Sequence, residues 1–407
     1  MTRAATETQA RRLWRDARFR LIWSGQTASI FGDRVTGMAL PWLILFQTHS
    51  TFDAGLVSAV RYLPPLALGL GAGLVADRLD RRWLMIACDI GRAGALSIIV
   101  ALSILQRLPG LWLLAFVVLV LGAGQLGFQV AYSAWLPDIT GDETLSRANA
   151  ALEASDAAST LAGPTLGGAL IQTLGPALAL GADAISYIVS ALTLLATREE
   201  KMHLRSRSVA SHKSLRNLWT EMLEGVRLIL TAPAHRLLRG VSAPLYLSAG
   251  AIELLLATLT QLRLHLPAWQ AGFVFGAAGI GGLLGSSIAP HLYDRGWRRG
   301  LAGLFCIAAL ACIGLAWIAA AGTPGAGLSF AGAFACNLIL DGAVSAGFIL
   351  VATTNTLITP RALRGRVNAV SSMYSALLRG LSVLATGLLT IGNDPLPMFV
   401  LLACCFL

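Results

Sequence analysis

Ionisable side chains inside long apolar stretches are the residues of this sequence best placed to do chemistry. Asp33 lies in an apolar stretch over residues 21–46, and Glu253 lies in another over residues 240–262. A charged side chain at the centre of a bilayer costs about 3 kcal/mol or more, so such residues are rare and usually functional. A carboxyl in these surroundings can bind a proton, and when ionised it can attract a cation. The sequence therefore predicts that Asp33 and Glu253 carry protons or contact a ligand.

Further polar side chains recur at helical spacing in the apolar stretches. Separations of four or seven residues place two side chains on one face of a helix. The residues that we expect beside Asp33 and Glu253 in a polar cavity are Gln26, Gln125, Gln129, Asn337 and Asp341. Two arginines, Arg34 and Arg379, also lie in apolar stretches. Either could hold Asp33 in a fixed ion pair, in which case Asp33 would be structural.

A cluster of charged residues follows the second apolar stretch, in the segment GLVADRLDRR (Gly73–Arg82). Gly69 and Gly73, four residues apart, favour close packing of helices before the turn. Asp77 and the arginines after it are expected at the membrane boundary, where water is available and an acid can bind a helix N-terminus or a neighbouring arginine. These charges either form a contact that gates the protein or only fix its orientation in the membrane.

Two short patterns occur twice at nearly equal offsets, which indicates an internal duplication. The pattern D-R-x-x-R-R that begins at Asp77 returns at Asp294, 217 residues later. The segment SRANA, which contains Arg147, returns as GRVNA with Arg366, 219 residues later. Both patterns fall in matching loops of the two halves of the chain. The sequence is therefore expected to be a duplicated unit with parallel repeats.

The composition is that of an integral membrane protein. Of 407 residues, 56% are hydrophobic and 13% are charged, and the mean hydropathy is +0.68. A helix needs about 20 apolar residues to cross a bilayer. Eleven stretches have this length, at about 21–46, 54–76, 83–106, 110–135, 148–173, 176–197, 240–262, 269–291, 300–321, 325–353 and 368–391. A twelfth starts near Pro397 and reaches Leu407, so the chain is expected to end inside its last helix.

The positive charge is distributed asymmetrically along the chain. Of 31 lysines and arginines, 25 fall in the N-terminal tail and the alternate loops that would share its side of the membrane. This asymmetry predicts a cytoplasmic N-terminus, and the location that we expect is the inner (cytoplasmic) membrane. The net charge of +10 then reflects topology and anionic lipid, and we expect no nucleic-acid partner. The six cysteines lie inside apolar stretches without metal-ligand spacing, so no metal site is expected.

The longest polar segment divides the apolar stretches into two sets. It covers residues 198–239 and contains KSLRNLWTEMLEGVRLIL, whose apolar residues recur at helical spacing against a charged face. This pattern is typical of an amphipathic helix on a membrane surface. The predicted organisation is an N-terminal bundle over residues 1–197, a cytoplasmic linker over residues 198–239 and a C-terminal bundle over residues 240–407.

These segments resemble the major facilitator superfamily over essentially the whole chain. GLVADRLDRR resembles the signature loop between helices two and three, and FRLIWSGQTASIFGDRVTGMALP, LPDITGDETLSRANA and TPRALRGRVNA are similar to the branch of drug and siderophore exporters. The resemblance implies an all-α fold of twelve transmembrane helices in two pseudo-symmetric bundles, with helices one, four, seven and ten around a central cavity. It also implies a cytoplasmic gate that holds the halves together. Its residues would be Gly73, Asp77, Arg78, Arg81 and Arg82, with Asp294 and Arg295 in a weaker second copy.

Part of a second signature is present in the fifth stretch. Gly163, Pro164, Gly167 and Gly168 resemble the end of the antiporter motif and are expected to permit close helix packing. The sequence departs from the family upstream, where Ser159 stands in place of an expected glycine. The fourth stretch also lacks the arginine that many proton-coupled drug antiporters carry. Asp89 and Arg92, three residues apart in the third stretch, are expected to pair with each other or to support the gate.

Two functions fit this pattern. The first is export of an amphipathic small molecule, coupled to proton influx through Asp33 and Glu253. The alternative is export of a siderophore or another anionic metabolite, for which Arg34, Arg61 and Arg379 would matter more; otherwise Arg61, Glu153, Asp156 and Asp183 are interpreted as structural. The sequence contains no HExxH, GxSxG or phosphate-loop motif, so no enzyme and no cofactor are expected. Duplicated halves with buried acids favour a monomeric carrier over a channel.

Overall fold

The computed structural model describes residues 13–69, 79–197, 227–229, 231–321, 327–360 and 363–407. The regular secondary structure of these described residues is entirely helical. Eight helices within them are long and apolar enough to cross a membrane. Two further helices, of 32 and 33 residues, are also long enough to span but carry more charge.

Where the structure describes them, the connections between successive helices are short. In the N-terminal half they are α1 (Ala17–Thr48), α2 (Thr51–Ala59), α3 (Leu63–Leu68), α4 (Arg81–Ile104), α5 (Leu111–Thr140), α6 (Asp142–Leu174) and α7 (Pro176–Ala196). In the C-terminal half they are α8 (Pro233–Ala257), α9 (Ala268–Asp294), α10 (Trp297–Ala321), α11 (Gly327–Ile358), α12 (Arg364–Leu389) and α13 (Leu396–Phe406).

Local sequence explains where several of these helices begin and break. The Asp16 carboxylate accepts a hydrogen bond from the Arg18 backbone N–H at 2.8 Å and caps α1. The second apolar stretch, expected as one span, is instead broken: a 3₁₀ turn separates α2 from α3, which begins with two prolines. Proline has no backbone N–H to donate, so Pro64 and Pro65 favour this interruption. Helix α8 continues into a π-helical turn over Thr258–Arg263.

The two halves meet along two seams. Helix α6 packs against α9, and α2 with α3 packs against α12, while other extensive contacts stay within each half. Glycines make both seams tight. A Cβ atom added to Gly168 of α6 would lie 2.4 Å from the Ala268 carbonyl oxygen, and one added to Gly55 of α2 would lie 2.9 Å from the Gly387 Cα. The backbones therefore approach as closely as small residues allow.

Hydrogen bonds between the halves close one end of the structure. We call the end that contains Thr48 and Thr51 the distal end, and the end where α1 begins the proximal end. The Thr51 backbone N–H and hydroxyl both donate to the Asn393 Oδ1, at 2.9 and 3.0 Å. The Asn393 amide donates to the His49 carbonyl oxygen at 2.6 Å. At the seam between α6 and α9, the Ala268 N–H donates to the Gln172 side chain at 3.0 Å.

Most of the expected linker lies outside the described residues. The described residues do not include 198–226, where most of the amphipathic helix was expected. Residues 227–229 are described and are helical. Helix α8 begins at Pro233, inside the segment assigned to the linker from sequence. The last helix, α13, has 11 residues and packs mainly against α10.

Candidate substrate cavity

A cavity lies between the two halves and is lined by helices from both. Its cavity volume is about 50 Å³, within about 700 Å³ of empty space that includes open solvent. Helices α1, α5, α7, α8 and α12, with the broken second span, contribute to its wall. Its main polar and charged lining residues are Asp33, Arg61, Tyr62, Gln125, Tyr187 and Glu253. Of the four helices expected around the cavity, α1, α5 and α8 line it, whereas α11 contributes no described residue to its wall.

Asp33 faces the cavity from α1 and forms no ion pair with an arginine of the same helix. It accepts a hydrogen bond from the Tyr187 hydroxyl of α7. The neighbouring Arg34 points to α6 instead, where it forms an ion pair with Asp156 at 2.8 Å. The fixed pair of Asp33 with Arg34, considered from the sequence, is therefore not formed. Consecutive helix residues are turned by about 100°, which explains why Asp33 and Arg34 face different helices.

Arg379 does not pair with Asp33 either. Its guanidinium carbon lies 5.9 Å from the ring centres of Tyr246 and Phe348, within range of a cation–π interaction. Its Nε atom is buried without a hydrogen-bond partner. The helix backbone at Arg379 packs against Gly250 of the cavity wall. Arg379 is thus a cation behind the wall, outside the lining.

Glu253 and Arg61 both line the cavity and attract each other electrostatically. Glu253 is exposed and belongs to α8, so the two lining carboxylates come from opposite halves. The half-buried Arg61 guanidinium interacts electrostatically with Glu253 and Asp33. Sequence reasoning gave Arg61 a role only for an anionic substrate and otherwise interpreted it as structural; the structure places it in the lining. With all three groups charged, the cavity carries a net charge of −1.

Behind Asp33, a buried arginine ties three helices together. Arg92 of α4 is 2% exposed and binds the fully buried Asp89 on its own helix. It also donates to the Gln125 side-chain oxygen at 2.9 Å. Its guanidinium carbon lies 4.1 Å from the ring centre of Tyr187. The expected pairing of Asp89 with Arg92 is present, and it also fixes Gln125 and Tyr187 in the cavity wall.

Two expected cavity residues of the N-terminal half lie elsewhere. Gln26 is buried and donates to the Ser190 hydroxyl at 3.1 Å, so it joins α1 to α7. It lies seven residues from Asp33, which corresponds to about 10 Å along the helix axis. Gln129 is exposed on α5 and does not line the cavity. A shift of four residues turns a side chain by about 40°, which is enough to move Gln129 off the face of Gln125.

Two expected cavity residues of the C-terminal half serve helix packing. Asn337 is 2% exposed and donates to the Val274 carbonyl oxygen at 2.8 Å, so it joins α11 to α9. Asp341, half-buried on the same helix, accepts a hydrogen bond from the Ser345 hydroxyl at 3.3 Å. Both side chains lie outside the cavity wall because α11 turns this face toward α9 rather than toward the other half.

The predicted gate is described in part. Arg81 donates to the Ala134 carbonyl oxygen at 2.9 Å and to the Asp138 carboxylate at 2.8 Å. Arg82 donates to two carbonyl oxygens in the last turn of α7, at 2.8 and 2.7 Å. Both arginines thus hold the start of α4 within the N-terminal half. Of the other predicted gate residues, Gly73, Asp77 and Arg78 lie outside the described residues, and Asp294 and Arg295 are exposed at the end of α9.

The antiporter-like segment of α6 packs on two sides. A Cβ atom on Gly163 would lie 2.5 Å from the Arg34 Cβ, and one on Gly167 would lie 3.4 Å from the Val35 Cα. On the other side, Gly168 contacts α9, and the Pro164 carbonyl oxygen would lie 2.6 Å from a Cβ added there at Gly272. The small residues therefore let α6 lie between α1 and α9 at the seam.

The profile of the Major Facilitator Superfamily matches residues 22–383 of this chain. The chain belongs to this superfamily. Among curated relatives, it is 30% identical to the multidrug efflux pump Tap of Mycolicibacterium fortuitum over 65% of this chain and 64% of Tap. It is 26% identical to the enterobactin exporter EntS of Escherichia coli O1:K1 over 90% of this chain and 86% of EntS. The match thus spans a little under two thirds of Tap and most of EntS.

The fold agrees with solved transporters. The structure of a bacterial homologue of the iron transporter ferroportin, in its inward-facing state, superposes with a TM-score of 0.73 at 18% identity, covering 96% of this chain and 97% of that one. This likeness shows the major facilitator fold. As a member of the Major Facilitator Superfamily, the chain is a multi-pass membrane transporter and not an enzyme. The predicted family, its exporter branch and the predicted fold class are confirmed.

Proposed function

We propose that this transporter exports amphipathic small molecules by alternating access and that proton influx drives the export. The observation that carries the proposal is the central cavity, whose two carboxylates, Asp33 and Glu253, come from opposite halves. A carrier must expose one site to each side in turn, and a site shared by two halves changes its access when the halves rock. The relatives named as an efflux pump and an exporter support the outward direction.

The charge asymmetry of the loops assigns the proximal end to the cytoplasm. Because the distal contacts of Thr51 with Asn393 are formed, this structure corresponds to the state that loads substrate from the cytoplasmic side. Release on the other side requires these contacts to break while the proximal ends of the halves approach each other. The seams α6–α9 and α2–α12 are then the surfaces about which the halves rock.

The cavity charges explain how a proton and a cationic substrate compete. Asp33 and Glu253 together carry two negative charges, and Arg61 offsets one of them. One bound proton or one monovalent cation neutralises the remainder. A neutral cavity loses less hydration free energy when it closes than a charged one does. The transporter therefore changes its access with either a proton or the substrate bound, which couples the two flows in opposite directions.

Transport by the purified protein in proteoliposomes tests this function. Ethidium is the cationic probe, and a pH gradient is imposed across the vesicle membrane. We expect wild-type protein to move ethidium against proton flow, and we expect Asp33→Asn and Glu253→Gln to lose gradient-driven transport. Asp156→Asn, which removes a carboxylate outside the cavity, is the matched control. Wild-type rates in the Asp33→Asn protein would disprove the coupling.

A second candidate function is export of an anionic molecule. Two observations favour it: Arg61 lines the cavity, and the Arg379 Nε atom is buried without a partner. Enterobactin is then the informative probe. If the substrate is anionic, Arg61→Gln abolishes its transport and Asp33→Asn spares binding. If the substrate is cationic, Arg61→Gln strengthens ethidium binding because the cavity becomes more negative.

A further inference from the structure

Asp183 on α7 is a fully buried carboxylic acid that the mechanism above does not use. It is 0% exposed. Its Oδ2 accepts a hydrogen bond from the Thr36 hydroxyl at 2.5 Å, and its Oδ1 lies 2.9 Å from the Ser186 hydroxyl oxygen. No ion pair with Asp183 is found within 4.0 Å among the described residues. The buried Arg92 is already engaged by Asp89.

The Ser186 hydroxyl lies near two oxygens that could accept a hydrogen bond, but it has only one proton to donate. Its oxygen lies 2.8 Å from the Asp183 carbonyl oxygen and 2.9 Å from Asp183 Oδ1. A serine hydroxyl donates one hydrogen bond and accepts up to two. When it donates to the carbonyl, its contact with Oδ1 is favourable only if Oδ1 carries a proton. When Oδ1 is ionised, the hydroxyl can rotate and donate to it. The surroundings therefore satisfy Asp183 in both protonation states.

The backbone of α1 packs closely against Asp183 and Ser186. A Cβ atom on Gly32 of α1 would lie 2.3 Å from Asp183 Oδ1 and 2.3 Å from the Ser186 hydroxyl oxygen. Any larger residue at position 32 would displace the carboxyl group or its partner. Glycine at this position lets α1 lie directly against the buried acid.

Asp183 is also next to the cavity and to its acid. Asp183 and Tyr187 are four residues apart on α7, and Thr36 and Asp33 are three apart on α1, so two hydrogen bonds join the same faces of these helices. Thr36 lines the cavity. The charged groups that act on Asp183 are Asp33 from α1 and Arg92 from α4. On α6 the acid Asp156 is held by Arg34.

We propose that Asp183 is a second proton-holding residue, which exchanges its proton with the central cavity through the Thr36 hydroxyl. Asp183 lies beside the acid Asp33, and the arginine that acts on Asp183 is already paired with Asp89, so Asp183 holds a proton when the cavity is empty. In the exchange, the carboxyl group turns so that the proton held on Oδ1 comes to the Oδ2 position, where Thr36 accepts it and releases its own hydroxyl proton to water in the cavity. Asp183 thereby stores the proton that Asp33 binds. The role in transport rests on the proton coupling proposed above.

Infrared difference spectroscopy of the purified protein tests the storage directly, without any substrate. A protonated carboxyl group gives a carbonyl stretch that a carboxylate lacks, and exposed aspartates are ionised at neutral pH. We expect wild-type protein to show this band at neutral pH and Asp183→Asn to lose it. Glu153→Gln, which removes an exposed acid of α6, is the control and should leave the band unchanged. An unchanged band in Asp183→Asn would overturn the proposal.

Two further measurements separate this proposal from the transport function. Thr36→Val keeps the shape of the side chain and removes its hydroxyl, so the band should remain but exchange with deuterated water should slow at least tenfold. Unchanged exchange would overturn the route through Thr36, and this variant remains informative if Asp183→Asn does not fold. If wild-type protein shows the band but moves ethidium without proton flow, the proposed coupling fails and the storage site stands.

Discussion

Removal of Arg92 should destabilise the protein far more than removal of a surface partner. Arg92 and Asp89 form an ion pair whose side chains are 2% and 0% exposed. Breaking a buried pair on one side costs about 3–5 kcal/mol, because the remaining charge is left without compensation. The pair of Arg81 with Asp138 is 30% and 55% exposed, and pairs of that kind contribute about 0–1 kcal/mol. Arg92→Met should therefore cost several times as much as Asp138→Asn.

Equilibrium unfolding in detergent micelles with increasing SDS, followed by circular dichroism, measures both changes. A loss of about 3 kcal/mol lowers the folding equilibrium constant more than a hundredfold. The double variant Asp89→Asn/Arg92→Met removes both charges and should recover most of the loss. Equal destabilisation by Arg92→Met and Asp138→Asn, or no recovery in the double variant, would refute the reasoning.

Three further changes have defined outcomes. Gly168→Val places side-chain atoms against the Ala268 carbonyl oxygen, since a Cβ atom at position 168 would lie 2.4 Å from it. We expect this change to weaken the packing of α6 against α9 by about 1–3 kcal/mol and to reduce transport, measured as ethidium flux. Asn393→Ala removes the distal hydrogen bonds to Thr51, so a cysteine probe at the distal end of the cavity should react faster with a water-soluble maleimide. Arg61→Gln removes the cation of the cavity, and binding of ethidium, measured by fluorescence titration, should tighten; weaker binding would contradict the charge balance.

The positions of the cavity acids could be predicted because the cost of burying charge is independent of fold. Asp33 and Glu253 stand in apolar stretches, and the structure places both in the cavity wall. The orientation of each helix could not be predicted in the same way. Spacing shows that Gln125 and Gln129 share a face approximately, but it does not show which neighbour covers that face. Gln125 is held by Arg92, whereas Gln129 is exposed.

The place of Arg61 in the cavity wall was not visible from its immediate sequence. It precedes Pro64 and Pro65 by three and four residues, and these prolines break the second span just beyond it. The arginine therefore belongs to a short 3₁₀ turn rather than to a regular helix, and helical spacing gives no guide to its direction. The prolines themselves were the available signal, because irregular backbone at membrane depth is tolerated mainly beside a cavity. Asn337 shows the opposite case, since a polar residue on an expected cavity helix serves packing instead.

The contact between Thr51 and Asn393 joins residues 342 positions apart. During synthesis, Asn393 leaves the ribosome only after both bundles have been almost completely translated. Joining such distant segments carries an entropic cost that grows slowly with the length of the intervening chain. The contact between Thr51 and Asn393 forms late in biogenesis. Each bundle can therefore insert and pack in the membrane before the outer side is sealed. A nascent chain halted before residue 391 would already possess the acids of the cavity but would lack the contacts of Asn393 with Thr51 and His49 that help to shut them away from the far side.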